Sequence, residues 1–168
     1  MDVTRATLTD EWDGIDPKIE RVVLALNAHG FRTTGSCEGH LTKGSPVPWV
    51  AMNLVEEAGG RKMKEAETRK LRGKMQALLA KFYSNRVVAD NVRLVTRQSN
   101  SGFWLHNGGL VYGKWRLYVE KTVTKIARGE KIKPLAFTKE EKLMNATNLP
   151  LYQNEMEEFA KFLEKEKL

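Results

Sequence analysis

The chain of 168 residues holds one cysteine, three histidines and five prolines. A single thiol excludes an internal disulfide framework and a zinc ribbon, and three histidines leave few ligands for any other metal centre. No apolar run exceeds about six residues, where a membrane-spanning helix needs about 20. No partner role in a membrane is therefore expected. The opening stretch MDVTRATLTDEWDG lacks a basic start followed by an apolar core, so the reading is a cytoplasmic, reducing environment.

What the chain does have is positive charge, unevenly placed. The total is 28 Lys+Arg against 21 Asp+Glu, a net +7. Residues 60–133 hold 18 of the basic and 5 of the acidic residues, a net +13 between two acidic flanks. Such an asymmetry suggests an anionic partner, nucleic acid or a nucleotide first, met by the middle of the chain. A protein-interaction factor, for example one encoded by a phage, docking an acidic protein partner through the same basic face is the alternative from another class.

Periodicity places the elements. Asp16-Pro17 is a helix-opening pair, Ile19, Val22, Val23 and Leu26 mark one apolar face, and His29-Gly30 closes the helix. A short strand over 31–34 runs into Gly35-Ser36-Cys37-Glu38-Gly39-His40. Val50, Met52 and Leu54 alternate as a second strand with one buried face. Residues 61 to about 83 read as a helix with Leu71, Met75, Leu78, Leu79 and Phe82 as its core stripe and basic residues elsewhere. Gly73 inside it points to close packing or a kink. Val92, Leu94 and Thr96 form a further strand, and Asn107-Gly108 reads as a hairpin turn between Phe103–Leu105 and the residues from Leu110. Residues 115–119 read as strand and those up to 128 as helix. Thr138 to Glu141 is a capping box opening a short helix, and Pro150 starts the last one. The order implies an α+β fold: a two-layer sandwich with a largely antiparallel sheet and helices packed on one face. Residues 1–133 are read as the core domain and 134–168 as a helical segment packed on it or extending from it.

The densest chemistry lies in Thr33–His40. Gly35 and Gly39 allow backbone N–H groups to converge on an anion, with Arg32 and Lys43 as nearby cations. Three uses are open besides a tight turn. Cys37-x-x-His40 has the spacing of half a zinc site, which His29 or His106 would have to complete. Cys37 beside His40 could be a nucleophile and its base, although Glu38 points to the wrong side to orient the ring. As a binding loop, Ser36, Glu38 and His40 would share one face and read a base or ribose while the glycine amides hold phosphate. This last reading is preferred, with Thr34 completing the loop. Trp49, Trp104, Tyr112 and Trp115 lie near basic residues, the combination used to stack bases and neutralise phosphates. Among them Trp104, close to His106, is the candidate ligand wall, and Arg69, Arg72 and Lys74 are the candidate phosphate contacts.

With these residues in view, the helix ending in Leu26-Asn27 followed by Thr33-Thr34-Gly35-Ser36-Cys37-Glu38-Gly39 resembles the N-terminal signature of the wybutosine-synthesis tRNA methyltransferase family. Ser36, Cys37 and Gly39 match that family's loop, while Gly35, Glu38 and His40 depart from it. The resemblance covers about 25 residues. It implies an RNA-modifying enzyme with an α/β fold, tRNA as substrate and S-adenosylmethionine as methyl donor, with Ser36, Cys37 and His106 near the cofactor and His40 a further candidate catalytic group. The Ser-Cys-Glu-Gly-His form also resembles small bacterial and phage proteins, which brings no activity with it.

Overall fold

The computed structural model describes residues 15–41, 45–52, 65–98, 102–111, 121, 125, 128–131 and 137–167. Lys43, Tyr112, Trp115, nearly all of the 115–128 segment and the first four residues of the expected 61–83 helix lie outside them. The described elements are α1 (Glu20–Ala28), β1 (Thr33–Cys37), β2 (Trp49–Met52), α2 (Glu65–Phe82), β3 (Leu94–Gln98), β4 (Phe103–Asn107) and α3 (Lys139–Lys165). The strands form one antiparallel sheet in the order β1-β2-β4-β3. The fold is α+β.

Side-chain alternation gives the sheet two faces. Val50, Met52, Leu94, Phe103 and Leu105 look into the main core, where Val22, Val23 and Leu26 of α1, Met75 and Leu79 of α2 and Met156, Phe159 and Leu163 of α3 meet them. The C-terminal helix is thus part of the core formed by residues before 133. The other face carries Cys37, Trp49, Ala51 and Trp104, packed with Val47 and Tyr152 in a second cluster. All four residues of β2 are buried, not one face of it, because this central strand is covered on both sides.

Three local expectations change. Asp16-Pro17 makes a turn before α1, whose N-cap Ile19 has no side-chain cap, and the Asp16 carboxylate accepts the Glu38 N–H instead. Asn107-Gly108 is no hairpin turn: β4 pairs with β3, which precedes it, and Gly108–Val111 winds into a 3₁₀ turn. A Cβ on Gly108 would lie 2.1 Å from the Asp90 carbonyl oxygen, so the glycine serves close backbone approach. The two expected C-terminal helices are one, with Pro150 inside it and the capping box at Thr138 and Glu141 opening it. Proline removes one i→i−4 hydrogen bond, and burial of Leu149 just before it and of Tyr152 and Met156 beyond it carries the helix through.

Among the described residues nothing outside α2's own backbone lies within 4 Å of where a Cβ on Gly73 would stand, so the close packing expected there is not found. Gly73→Ala should therefore stabilise the protein by about 0.5–1 kcal/mol, through helix propensity and a less flexible unfolded chain. Urea unfolding of the two proteins measures this directly, and a destabilised variant would show that a neighbour contacts that face.

Candidate functional site

The chemically dense loop is used for structure at nearly every backbone group. The Glu38 N–H goes to Asp16 Oδ2 at 3.1 Å, the Gly39 N–H to Cys37 Sγ at 3.4 Å and the His40 N–H to the Ser45 carbonyl at 2.7 Å. The Glu38 carbonyl accepts from Gln153 Nε2 on α3 at 2.9 Å. These three amides are spent on protein partners, so they do not form an anion nest. Gly39 has φ of +90° and sits against Leu149 and Pro48, which explains the glycine by backbone conformation and crowding.

The sheet register decides which side chains meet. Cys37, Trp49, His106 and Val95 are consecutive cross-strand partners in one row, and Gly35, Ala51, Trp104 and Arg97 form the next. Cys37 and His106 therefore share a face, as a common site requires, but Trp49 stands between them at a separation of two strand spacings, roughly 10 Å. Ser36 belongs to the opposite face, beside Val50, and is half-buried. His40 lies beyond the strand and is exposed. Alternation along the segment thus separates Ser36 from Cys37, and the chain's departure from the strand after Cys37 takes Glu38 and His40 out of the pattern. Thr34 is buried and donates to the Ala51 carbonyl, while Arg32 is exposed before β1.

Burial sets the chemistry of the two titratable groups on this face. The Cys37 thiol is pushed up to about 12 by desolvation, against a weaker opposing pull from the Gly39 N–H. It stays a thiol at neutral pH, a poor nucleophile and a poor metal ligand. No group of three His, Cys, Asp or Glu suited to a metal ion occurs among the described residues. His106 is lowered to about 4, mainly by burial and further by the charge of Arg97, and is neutral at pH 7. Its Nδ1 lies 2.7 Å from the Asn107 carbonyl and so carries the ring proton, leaving Nε2 as an acceptor. The third histidine, His29, is buried at the end of α1 and donates from Nε2 to the Leu163 carbonyl at 2.6 Å. That bond fits a helix-end role.

The predicted phosphate contacts divide. Arg72 and Lys74 are about 200° apart around α2. Arg72 Nη1 donates to Gln98 Oε1 of β3 at 3.0 Å, and Arg69, one turn earlier, is on the same side. Lys74 instead turns to α1, where its ammonium donates to the His29 carbonyl and lies 5.3 Å from the centre of the Phe31 ring. Lys81 pairs with Glu166 at 2.9 Å. At the far end of α2, Tyr83 Oη accepts from the Leu94 N–H at 2.8 Å, and the Arg93 guanidinium lies 4.1 Å from the Tyr83 ring centre. Between the Gln98 and Leu94 contacts, α2 advances about 16 Å and β3 about 13 Å. The helix thus runs antiparallel along the edge strand, with Arg69 and Arg72 on the helix, Arg93 just before the strand and Arg97 on the strand's other face, beside Trp104. Arg93 and Arg97 are four residues apart in the sequence, but their place at the edge of the sheet depends on strand order, which the sequence does not state.

No protein-family model, no curated protein and no solved structure matches the chain. No helix among the described residues is long and apolar enough to cross a membrane.

Proposed function

We propose that the protein is a nucleic-acid-binding module, with single-stranded RNA as its ligand, and that its contact surface is the arginine-bordered edge formed by α2 and β3. The observation that carries this reading is the Arg72–Gln98 hydrogen bond, which fixes the basic side of α2 along an edge strand that bears Arg97 and is preceded by Arg93. Arginine suits the role because its planar fork matches phosphate oxygens and its charge is permanent. An edge about 16 Å long spans several phosphates of an extended strand. The 33–40 loop, at the opposite edge of the sheet, is not the phosphate contact in this reading, since its amides 38, 39 and 40 are already bonded.

Binding of a labelled single-stranded RNA oligomer measured across a salt series tests this. Affinity should fall steeply as salt rises, and the Arg69→Ala/Arg72→Ala variant should flatten the log–log slope by about 1.4, at about 0.7 per lost contact. Lys74→Ala is the internal control. Its charge is committed to the His29 carbonyl and the Phe31 ring, so it should lower stability while leaving the slope as it was. Absence of binding at low salt, or equal slopes for the arginine variant and the parent, would overturn the proposal.

A further inference from the structure

Resting on the nucleic-acid reading above, we infer that the outer edge of β3 grips the sugar-phosphate backbone of the RNA with main-chain groups: the Thr96 and Gln98 N–H groups donate to phosphate oxygens, and the Thr96 carbonyl accepts from a ribose 2′-hydroxyl. The first support is hydrogen-bond direction along the strand. The Arg93 carbonyl accepts from the Gly108 N–H, so the main chain at Arg93 faces β4, whereas the Leu94 N–H leaves the sheet for Tyr83 Oη. Pairing continues without a bulge to Gln98, so alternation turns Val95 and Arg97 toward β4 and Thr96 and Gln98 outward. Among the described residues no strand lies beyond β3, and the Thr96 and Gln98 N–H groups have no partner. Thr96 is half-buried and Gln98 exposed, so this row opens to solvent.

The second support is the contrast between the two edges of the sheet. An unpaired strand edge is a template for unwanted pairing and is normally blunted. At β1 the ladder is interrupted between Thr33 and Gly35, and the Glu38 N–H just beyond the strand is taken by Asp16. β3 is regular throughout, with Tyr83 closing one end and the Arg72 guanidinium, bound to the Gln98 side chain, standing at the other. The open amides therefore lie beside a fixed positive charge. A phosphate oxygen that meets them forms charge-assisted hydrogen bonds, about twice as strong as neutral ones. Spacing is the third support. Two residues of strand advance about 6.7 Å, a step that one extended nucleotide covers, so successive phosphates reach Thr96 and Gln98 in turn. Between these two donors lies the Thr96 carbonyl, an acceptor that a phosphate cannot use and a 2′-hydroxyl can. The edge thus favours RNA over DNA, which has no donor at that place.

Thr96→Pro removes the outward N–H and breaks no bond of the ladder, whereas Val95→Pro removes a bond to β4 and should destabilise the sheet. Titrated with a labelled single-stranded RNA oligomer across a salt series, Thr96→Pro should bind about tenfold more weakly than the parent at an unchanged slope, because a hydrogen bond is lost and no cation. DNA of the same sequence should bind the parent at least about threefold less tightly than RNA. Amide exchange reads the contact without any variant: Thr96 and Gln98 should exchange rapidly in the free protein and slow at least about tenfold when RNA is added. A Thr96→Pro protein that binds as tightly as the parent, or exchange at both amides untouched by RNA, would overturn the main-chain contact alone. Equal affinity for RNA and DNA would remove the carbonyl contact. Slowing that follows protein concentration without RNA would give the edge to a strand of a second copy and overturn the inference equally. A parent that binds no RNA at low salt would instead overturn the arginine edge, and the main-chain contact with it.

Discussion

Arg86→Ala is expected to lower the unfolding free energy by about 3–5 kcal/mol, the loss expected when one partner of a buried ion pair is removed. Glu155, on α3, is 1% exposed, and the Arg86 guanidinium binds both of its oxygens. Tyr83 Oη donates to the same carboxylate at 2.7 Å. Glu155 holds the Arg86 pKa above its ordinary value, the sign of a favourable ion pair. Removing the cation leaves a charge in the interior with one hydroxyl for company. Removing both partners should be far milder: Arg86→Met/Glu155→Leu should recover most of the loss, since it strands no charge. Urea unfolding of the three proteins decides the matter, and a double variant no better than Arg86→Ala would show that shape, not charge, is what the pair supplies. The same hydroxyl of Tyr83 accepts from the Leu94 N–H, so the network also holds the start of β3 beside α2. On the proposed nucleic-acid reading, loosening it should also weaken binding at that edge.

Readable from the chain alone were those parts in which local periodicity and burial agree. The stripe Leu71, Met75, Leu78, Leu79 and Phe82 marks α2, and three of these pack at the margin of the core while Met75 and Leu79 are buried in it. Capping chemistry at Thr138 gave the start of α3 to the residue. Where the reading failed, a tertiary contact had overruled a local signal. Pro150 looks like a helix start, yet the helix passes through it because Leu149 before it and Tyr152 and Met156 after it are buried. Asn107-Gly108 looks like a hairpin, yet Asn107 Nδ2 is bound to the Val92 and Tyr152 carbonyls, and Gly108 abuts the backbone of Asp90. For the site, Trp104 and His106 were recognisable as neighbours because they are two apart on one strand. The pairing that adds Trp49 and Cys37 to one side and Arg97 to the other spans many residues of sequence, and no local pattern encodes it.

The loop that looked most like a site supplies the second large effect. Gly39→Ala should destabilise the protein by about 2–5 kcal/mol, from about 1–2 for a side chain in left-handed backbone and about 1–3 for crowding. A Cβ there would stand 2.5 Å from Leu149 Cδ1 of α3, with Pro48 at 3.4 Å on another side. The crowding is relieved by trimming Leu149, whereas the backbone strain is not. Leu149→Ala alone should cost about 2–5 kcal/mol as a cavity. In the Gly39→Ala/Leu149→Ala protein the two losses should fall short of additivity by about 1 kcal/mol or more, measured as a double-mutant cycle in urea. Full additivity would place the strain in the backbone alone. Thermal melting and RNA titration of Gly39→Ala then separate two meanings of a motif crowded with hydroxyls, thiol, carboxylate and imidazole. A loop that grips phosphate would lose the steep salt dependence along with the glycine. A loop whose amides are given to Asp16, Cys37 and Ser45, and whose glycine exists to let α3 pass, loses stability and keeps the slope.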